Sequence, residues 1–374
     1  MSESFDTIRF NNLINFPNGR KAESMYRVFA AVLMVTITAA THAGPTYPGK
    51  TWATKAPADV GLDAAKLDAF RDYVGGRGCV VRHGYLAYTF GDVAKRADIA
   101  SAAKPWYVHL LLLLLQNGVI KSLDEPVHPF EPRLFDLNAK LDHKDRLITW
   151  RHLANQTSCY GVSEKPGSAY DYSDYNMALL CDTLFLRAYK TTWIKADADV
   201  LMPKLADLLQ CEDQPTLLAF GAVDRRGRLA ISTRDFARFG LLYLHKGRWR
   251  DKQLLDEKLA VMAVTSPLPN ELPRTEGKAA EMIALQRSIG GGNNQTDHFG
   301  SYSFAWWTNG VDRDKKRHWP DAPVDAYGAF GHGGKRALVV IPSLDLVITW
   351  NDGKINGRAM ENRAIQLAAA CRTK

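Results

Sequence analysis

The sequence predicts an α+β fold in which the first and last parts of the chain share one sheet and the middle forms a mainly helical insert. Three observations carry this reading. A hairpin pattern occurs early, in GCVVRHGYLAYTFGD (Gly78 to Asp92). Helical stretches follow from about Ser101, at Tyr175 to Tyr189, at Leu201 to Gln210 and at Ser232 to Gly247. β-rich runs return late, in SYSFAWWTNG, RALVVIP and LDLVITWND, before a closing helix in AMENRAIQLAAAC. The expected division is a leader over 1–43, an α/β domain from 44–100 with 240–374, and a mainly helical domain over 101–239. With 374 residues, 46% hydrophobic and 24% charged, the chain can bury a large core.

In chain order the leader comes first. From Met25 the sequence MYRVFAAVLMVTITAATHAGP has a basic Arg27, a short apolar run from Val28 to Ala40 and small residues around Thr41 and Ala43. This is the pattern of a secretory signal cleaved after Ala43, with translation starting at Met25. The run is too short to span a bilayer comfortably. The mature protein is therefore expected to be periplasmic or secreted, without stable membrane insertion.

The hairpin is two β-rich runs separated by His83-Gly84. The next segment, DIASAAKPWYVHLLLLLLQNG, contains six consecutive leucines, Leu110 to Leu115. Its apolar stretch is interrupted by His109, Gln116, Asn117 and Gly118, well short of the roughly 20 residues that a spanning helix needs. It reads as a core helix, apolar all round because it is buried all round, with His109 a core histidine. Proline is tolerated only in a helix's first turn, so Pro105 sets the start at about Ser101. STRDFARFGLLYLHKG opens on a capping serine and ends at a glycine. Alternation places Trp306 and Trp307 on opposite faces of a strand, so one ring could face a cleft, although core packing of both is the preferred reading. The last two strands are joined by a tight turn.

The net charge of +8 is spread along the chain without a nucleic-acid-binding motif, so nucleic acid is not an expected partner. The five cysteines, Cys79, Cys159, Cys181, Cys211 and Cys371, form no CxxC pair, and no HExxH occurs. They read as mostly buried thiols with room for one bridge, and no metal or cofactor is expected. Oligomeric state is not legible.

Ser101 is the residue with a chemical reading. At a helix start it sits where the dipole favours negative charge on its oxygen, and Lys104, three residues on, shares its face. A serine with a lysine one turn later is a nucleophile with a base; the plain alternative is a capping serine and a surface lysine.

Further segments bear on that choice. SAAK with its leucine-rich helix and GVIKSLDEPV, then LITWRHLANQTSCYGV, YDYSDYN, STRDFARFGLLYL and AFGHGGKRALVVIPSLDLVITWNDG occur in the order and approximate spacing of the serine β-lactamase-related family. The resemblance is to the branch of class C β-lactamases, D-alanyl-D-alanine carboxypeptidases, family VIII carboxylesterases and 6-aminohexanoate-dimer hydrolase, and it spans about residues 57–371. It implies a β-lactamase/transpeptidase-like fold: an antiparallel sheet flanked by helices, a mainly helical domain, and a site in the cleft between.

By the same resemblance, Ser101 matches the acylated serine, Lys104 the motif lysine and Tyr172 the tyrosine of Tyr-Ser-Asn, while His332, Gly333 and Gly334 match the Lys-Thr-Gly strand. Tyr170 and Tyr175 are then packing residues. Tyr172 and Lys104 would deprotonate Ser101, Tyr172 would protonate the leaving group, and the oxyanion would sit between the N–H groups of Ser101 and Lys335. Two departures carry information. Asp174 stands in place of Asn, and its carboxylate would hold Lys104 protonated, moving the base role toward Tyr172. His332 and Gly333 replace the lysine and threonine that anchor a substrate carboxylate, unless Lys335 or Arg336 substitutes. The implied activity is that of an exported serine hydrolase, an esterase or amidase on small acyl substrates. The alternatives are a β-lactamase, a D-alanyl-D-alanine carboxypeptidase or a penicillin-binding sensor that reacts once. A lipase-type α/β-hydrolase is disfavoured by the absence of GxSxG.

Overall fold

The computed structural model describes residues 46–284 and 287–373, so the leader read at 1–43 lies outside the described residues. The first helix, α1 (Ala64–Val74), starts on Asp63, whose carboxylate accepts the N–H groups of Ala65 and Lys66 at 2.9 and 3.2 Å. Strands β1 (Arg77–Arg82) and β2 (Tyr85–Phe90) follow as the expected hairpin. His83 and Gly84 both have positive φ, 52° and 76°, the mirror-image turn whose twist matches the strands it joins.

The short β3 (Ala97–Asp98) precedes the leucine helix α2 (Lys104–Gln116), and α3 (Trp150–Ala154) and α4 (Asp174–Asp182) come next. Beyond α4 the chain continues to Ala188 in wider π-type turns. A second such segment spans Asp197–Ala206, offset toward the N-terminus from the expected 201–210; the wider turns accommodate Pro203, which has no N–H to give an α-ladder. Then come β4 (Ala230–Ile231), paired with β3, and α5 (Thr233–Leu244), capped by Ser232. The small hairpin β5 (Arg248–Trp249) and β6 (Lys252–Gln253) leads to α6 (Glu257–Thr265). The last third supplies β7 (Tyr302–Ser303), β8 (Trp306–Thr308), β9 (Tyr327–Gly331), β10 (Arg336–Ile341), β11 (Leu346–Asn351) and α7 (Arg358–Ala370).

Seven strands form one antiparallel sheet in the order β2-β1-β11-β10-β9-β8-β7. Early and late segments meet inside it, where β1 pairs with β11 (Cys79 opposite Thr349). Alternate residues of β10 and β11 serve two cores. Leu338, Val340 and Val347 face the side of α5 and α2, while Val339, Ile341, Ile348 and Trp350 face α1 and α7. Burial on both faces explains why these strands read as unbroken apolar runs. The helix α2 is buried from Lys104 through Leu114 as expected, and among the described residues no helix is long and apolar enough to cross a membrane.

Helix α5 lies on the sheet at Gly240. A Cβ there would fall 2.5 Å from Val347 Cγ1 and 2.6 Å from Leu338 Cδ1. Gly240→Ala therefore sets a helix-propensity gain of about 1 kcal/mol against overpacking of about 1–3 kcal/mol. The expected net is destabilisation, read as a lower urea midpoint with unchanged m-value; a raised midpoint contradicts the close approach.

Two expectations need correction. The helix does not begin at Ser101: α2 starts at Lys104, and Ser101 lies in a 3₁₀ turn, Ala100–Ala103. Pro105 is the cause, because it has no N–H to donate to the Ser101 carbonyl, which accepts from Lys104 N–H instead. SYSFAWWTNG is likewise not one strand. Phe304 and Ala305 take φ of 45° and 71° and fold it into the β7–β8 hairpin, held by Phe304 N–H donating to Asn155 Oδ1 at 2.7 Å. The five cysteines are free thiols, none bridged.

Candidate active site

The site is built around the turn between β3 and α2. Ala100, just before Ser101, has φ of 51°, a left-handed conformation that alanine adopts only under constraint from its surroundings. The constraint is local packing: Ile99 N–H donates to Leu229 O at 3.1 Å on one side, and on the other Gly331, at the end of β9, lies so close that a Cβ there would be 2.4 Å from Ile99 O. Ser101 is thus presented from a fixed turn at the buried head of α2.

Lys104 Nζ donates to Ser101 Oγ at 2.9 Å and to Asp174 Oδ1 at 3.0 Å, and lies 4.4 Å from the centroid of the Tyr172 ring. Asp174 is brought there as the first residue of α4, whose cap is Ser173. Both partners are buried, with side chains 2% and 9% exposed. Burial alone would lower the Lys104 pKa, but the Asp174 carboxylate and the Tyr172 phenol outweigh it and the lysine is held above its ordinary value. Burial would raise Asp174, yet Lys104, Gln295 and Arg228 hold it below the usual carboxylate range. Lys104 is therefore a cation that donates to the serine oxygen.

Tyr172 is fixed by rings: Trp307 stacks on it at 6.1 Å and Tyr302 meets it edge-on at 5.8 Å. Trp306 goes into the core, but Trp307 lines the cleft, so the preferred expectation of core packing for both fails. Tyr170 is a buried packing residue beside Tyr172, and Tyr175 packs against the core half-buried, both as expected. His109 is buried, with Nδ1 on Tyr243 Oη at 3.2 Å and its pKa driven down to about 3 by burial. The glycine-rich loop after residue 287 closes on the Tyr172 segment through Asp174 N–H to Gly292 O and Gln295 N–H to Tyr172 O, both 3.1 Å.

The resulting cavity, about 360 Å³, is lined by Ser101, Tyr172, Asp174, Trp307, His332 and Gly333 among others. His332, Gly333 and Gly334 are not on a strand as the resemblance implies. All three have positive φ (48°, 67° and 96°), which ends β9 at Gly331 and makes them the turn into β10. His332 is paired with Arg336; partial burial and that guanidinium hold its pKa below the ordinary histidine value, so it carries no charge at neutral pH. Gly334 lies behind the cleft wall, its carbonyl accepting Trp350 Nε1 at 2.7 Å. Lys335 is exposed, does not line the cavity, and turns its N–H back to His332 O at 3.5 Å, so it does not occupy the oxyanion position expected of it. The backbone that does approach the serine turn is the end of β9.

No family model and no curated protein matches the sequence. Solved structures do. A Bacillus anthracis protein assigned as a 6-aminohexanoate-dimer hydrolase superposes with a TM-score of 0.58 at 13% identity, covering 87% of this chain and 89% of its own. A β-lactamase from Mycobacterium bovis gives 0.55 at 18% identity, covering 82% and 97%. EstCE1, a hydrolase with promiscuous acyltransferase activity, gives 0.54 at 13%, covering 83% and 98%. The chain has the serine β-lactamase-like fold. In this β-lactamase-like chain the cleft also contains residues that the sequence did not single out. Arg228 grips Asp98 through two hydrogen bonds, at 2.9 and 2.7 Å, and donates to Ile289 O at 2.8 Å, tying the strand before Ser101 to the glycine-rich loop. It lies two residues beyond the Asp224-Arg225-Arg226 run, whose first two members are exposed and which does not line the cavity. Phe299, His318, Arg358 and Glu361 complete the far wall. Among the described residues, no three or more His, Cys, Asp or Glu are placed to hold a metal ion.

Proposed function

We propose that this chain is an exported serine hydrolase that acts through an acyl-enzyme on Ser101, an esterase or amidase for small acyl substrates. The observation that carries the reading is the Lys104 ammonium held by Asp174 and placed 2.9 Å from Ser101 Oγ, beside the Tyr172 ring. A protonated lysine cannot take the serine proton, so Tyr172 is the base. With Tyr172 entering the step as phenolate, Ser101 Oγ attacks the carbonyl carbon while its proton passes to the Tyr172 oxygen; the resulting phenol gives that proton to the leaving group, and water later releases the acid and restores Ser101. Lys104 stabilises negative charge on the serine oxygen throughout. The Ser101 N–H, near the start of a 3₁₀ turn and so without an intrahelical acceptor, would hold one side of the oxyanion, and the end of β9, which packs against that turn, is where a second donor would come from. The uncharged His332 and the missing hydroxyl at Gly333 favour esters and amides over β-lactams, whose carboxylate needs a charged anchor. The leader pattern at 25–43 supports export to the periplasm or beyond.

Tyr172→Phe tests the base. It keeps the ring stack on Trp307 and is expected to lower kcat/KM for a short-chain p-nitrophenyl ester by about 10²- to 10⁴-fold, chiefly in kcat. Unchanged turnover removes Tyr172 from the chemistry. Nitrocefin turned over faster than the ester by the wild-type protein would favour a β-lactamase instead.

A further inference from the structure

A second cavity, of about 310 Å³, shares no lining residue with the catalytic cleft. Three guanidiniums and two carboxylates line it: Arg133, Arg187 and Arg226 with Glu131 and Asp182. The fold gathers them from separate segments. Glu131 caps the 3₁₀ turn Pro132–Leu134 that contains Arg133, Asp182 is the last residue of α4, Arg187 belongs to the wider turns that follow it, and Arg226 lies on the loop ahead of Arg228.

Charge decides what this cavity can take. Glu131 is 1% exposed and accepts two hydrogen bonds of 2.6 Å from Arg133. Burial alone would raise its carboxyl, but Arg133 and, beyond it, Arg187 hold it below the usual range, so it is an anion already matched. Asp182 accepts from Arg287 at 2.9 Å and from Trp193 Nε1 at 3.1 Å, so it is matched too. Arg187 Nε lies 3.9 Å from Glu131 Oε2, too far for a hydrogen bond. Arg226 makes no ion pair among the described residues, and its Nε is buried without a hydrogen-bond partner. A guanidinium N–H buried without an acceptor is unfavourable, and an anionic oxygen is the acceptor that relieves it. With Arg133 on Glu131 and Arg287 on Asp182, the positive charges of Arg187 and Arg226 are left for a ligand.

We propose that this cavity is an anion site that takes a phosphate group, whose oxygens accept from the Arg187 and Arg226 guanidiniums. A phosphate monoester carries a charge of about −1.5 to −2 at neutral pH and three strong acceptor oxygens, which suits two planar N–H forks; a monocarboxylate balances only one of them. The site stands whether or not Ser101 is acylated. It lies beside Asp182, at the opposite end of α4 from the Asp174 that holds Lys104, about 12 Å along the helix. A bound phosphate would clamp that end of the helical region to the loop that leads to Arg228, adding stability without entering the catalytic cleft.

The test uses the full chain and two probes, inorganic phosphate and phenyl phosphate, against chloride at matched ionic strength. Both phosphates are expected to bind saturably by calorimetry. At about a hundred times the half-saturating concentration they raise Tm by about 4 °C, which chloride does not. Tighter binding of one probe names free phosphate or a phosphate monoester as the form the site prefers. Arg226→Gln weakens binding by about tenfold or more, and Arg226→Lys, charged but without the fork, recovers part of it. Arg187→Gln, at a side chain 50% exposed, weakens it likewise without opening the core. Lys252→Gln, which removes the same charge from the exposed β5–β6 hairpin, leaves binding unchanged. A cooperative thermal transition shows that each variant is folded. The proposal is overturned if neither phosphate stabilises the chain beyond chloride, if Arg226→Gln binds as tightly as the wild type, or if Lys252→Gln weakens binding as much. It is also overturned if phosphate raises KM for a p-nitrophenyl ester and Arg226→Gln leaves that inhibition intact, which would place the anion in the catalytic cleft.

Discussion

Ser101→Ala lowers kcat/KM for short-chain p-nitrophenyl esters by at least about 10³-fold and abolishes the acyl adduct on the intact protein. The size follows from what is removed. Without Oγ no covalent intermediate forms, and Lys104 and Tyr172 have no proton to manage; only binding and the oxyanion donors are left. The fold should not suffer, because Ser101 is half-buried and the turn that contains it is fixed by neighbours, Ile99 on Leu229 and Gly331 against Ile99, that the substitution does not touch. Initial rates with intact mass spectrometry check this. A variant that still forms the adduct would place the nucleophile elsewhere.

Lys104→Met is expected to damage both activity and stability. Activity falls by about 10²- to 10⁴-fold as the cation leaves the serine oxygen. Stability at neutral pH falls by about 3 kcal/mol, since Asp174 is left as a buried carboxylate with its principal partner gone. The pH dependence separates this from mere loss of packing. In the wild type Asp174 is depressed, so its contribution is present above the unfolded carboxyl value of about 4 and fades as pH falls through the folded pKa. Lys104 is raised, so its contribution is complete below the unfolded value of about 10.4 and fades as pH rises through the folded pKa. The pair thus gives a plateau across neutral pH. In Lys104→Met the carboxyl prefers its proton, so the gap between wild type and variant narrows as pH falls toward about 4. Urea midpoints across that range measure it, and a gap independent of pH would show that pairing is not the cause.

What could be read from the sequence follows from which interactions are local. The hairpin at His83-Gly84, the doubly buried β10 and β11 and the leucine helix all declare themselves through residue pattern alone. Ser101, Lys104, Tyr172 and Asp174 were found because two of them sit one turn apart and the others in one short motif, and the structure brings all four together. The misreadings have a common cause. Phe304, Ala305 and Ala100 adopt positive φ without being glycine or asparagine, because tertiary contacts impose it, so no turn signal marks them, whereas the Gly333-Gly334 turn signal after His332 is overridden by the motif reading. Arg228 and Glu361 reach the cleft from positions outside every quoted motif, and only their surroundings in the fold reveal them.

The pairing of β1 with β11 inside the sheet has a consequence for how the molecule comes into being. β1 lies near the start and β11 near the end of the described residues, so the sheet cannot close until β11 has been synthesised, and the loop it closes is long. A nascent chain of this topology stays unlocked until its last strand is available.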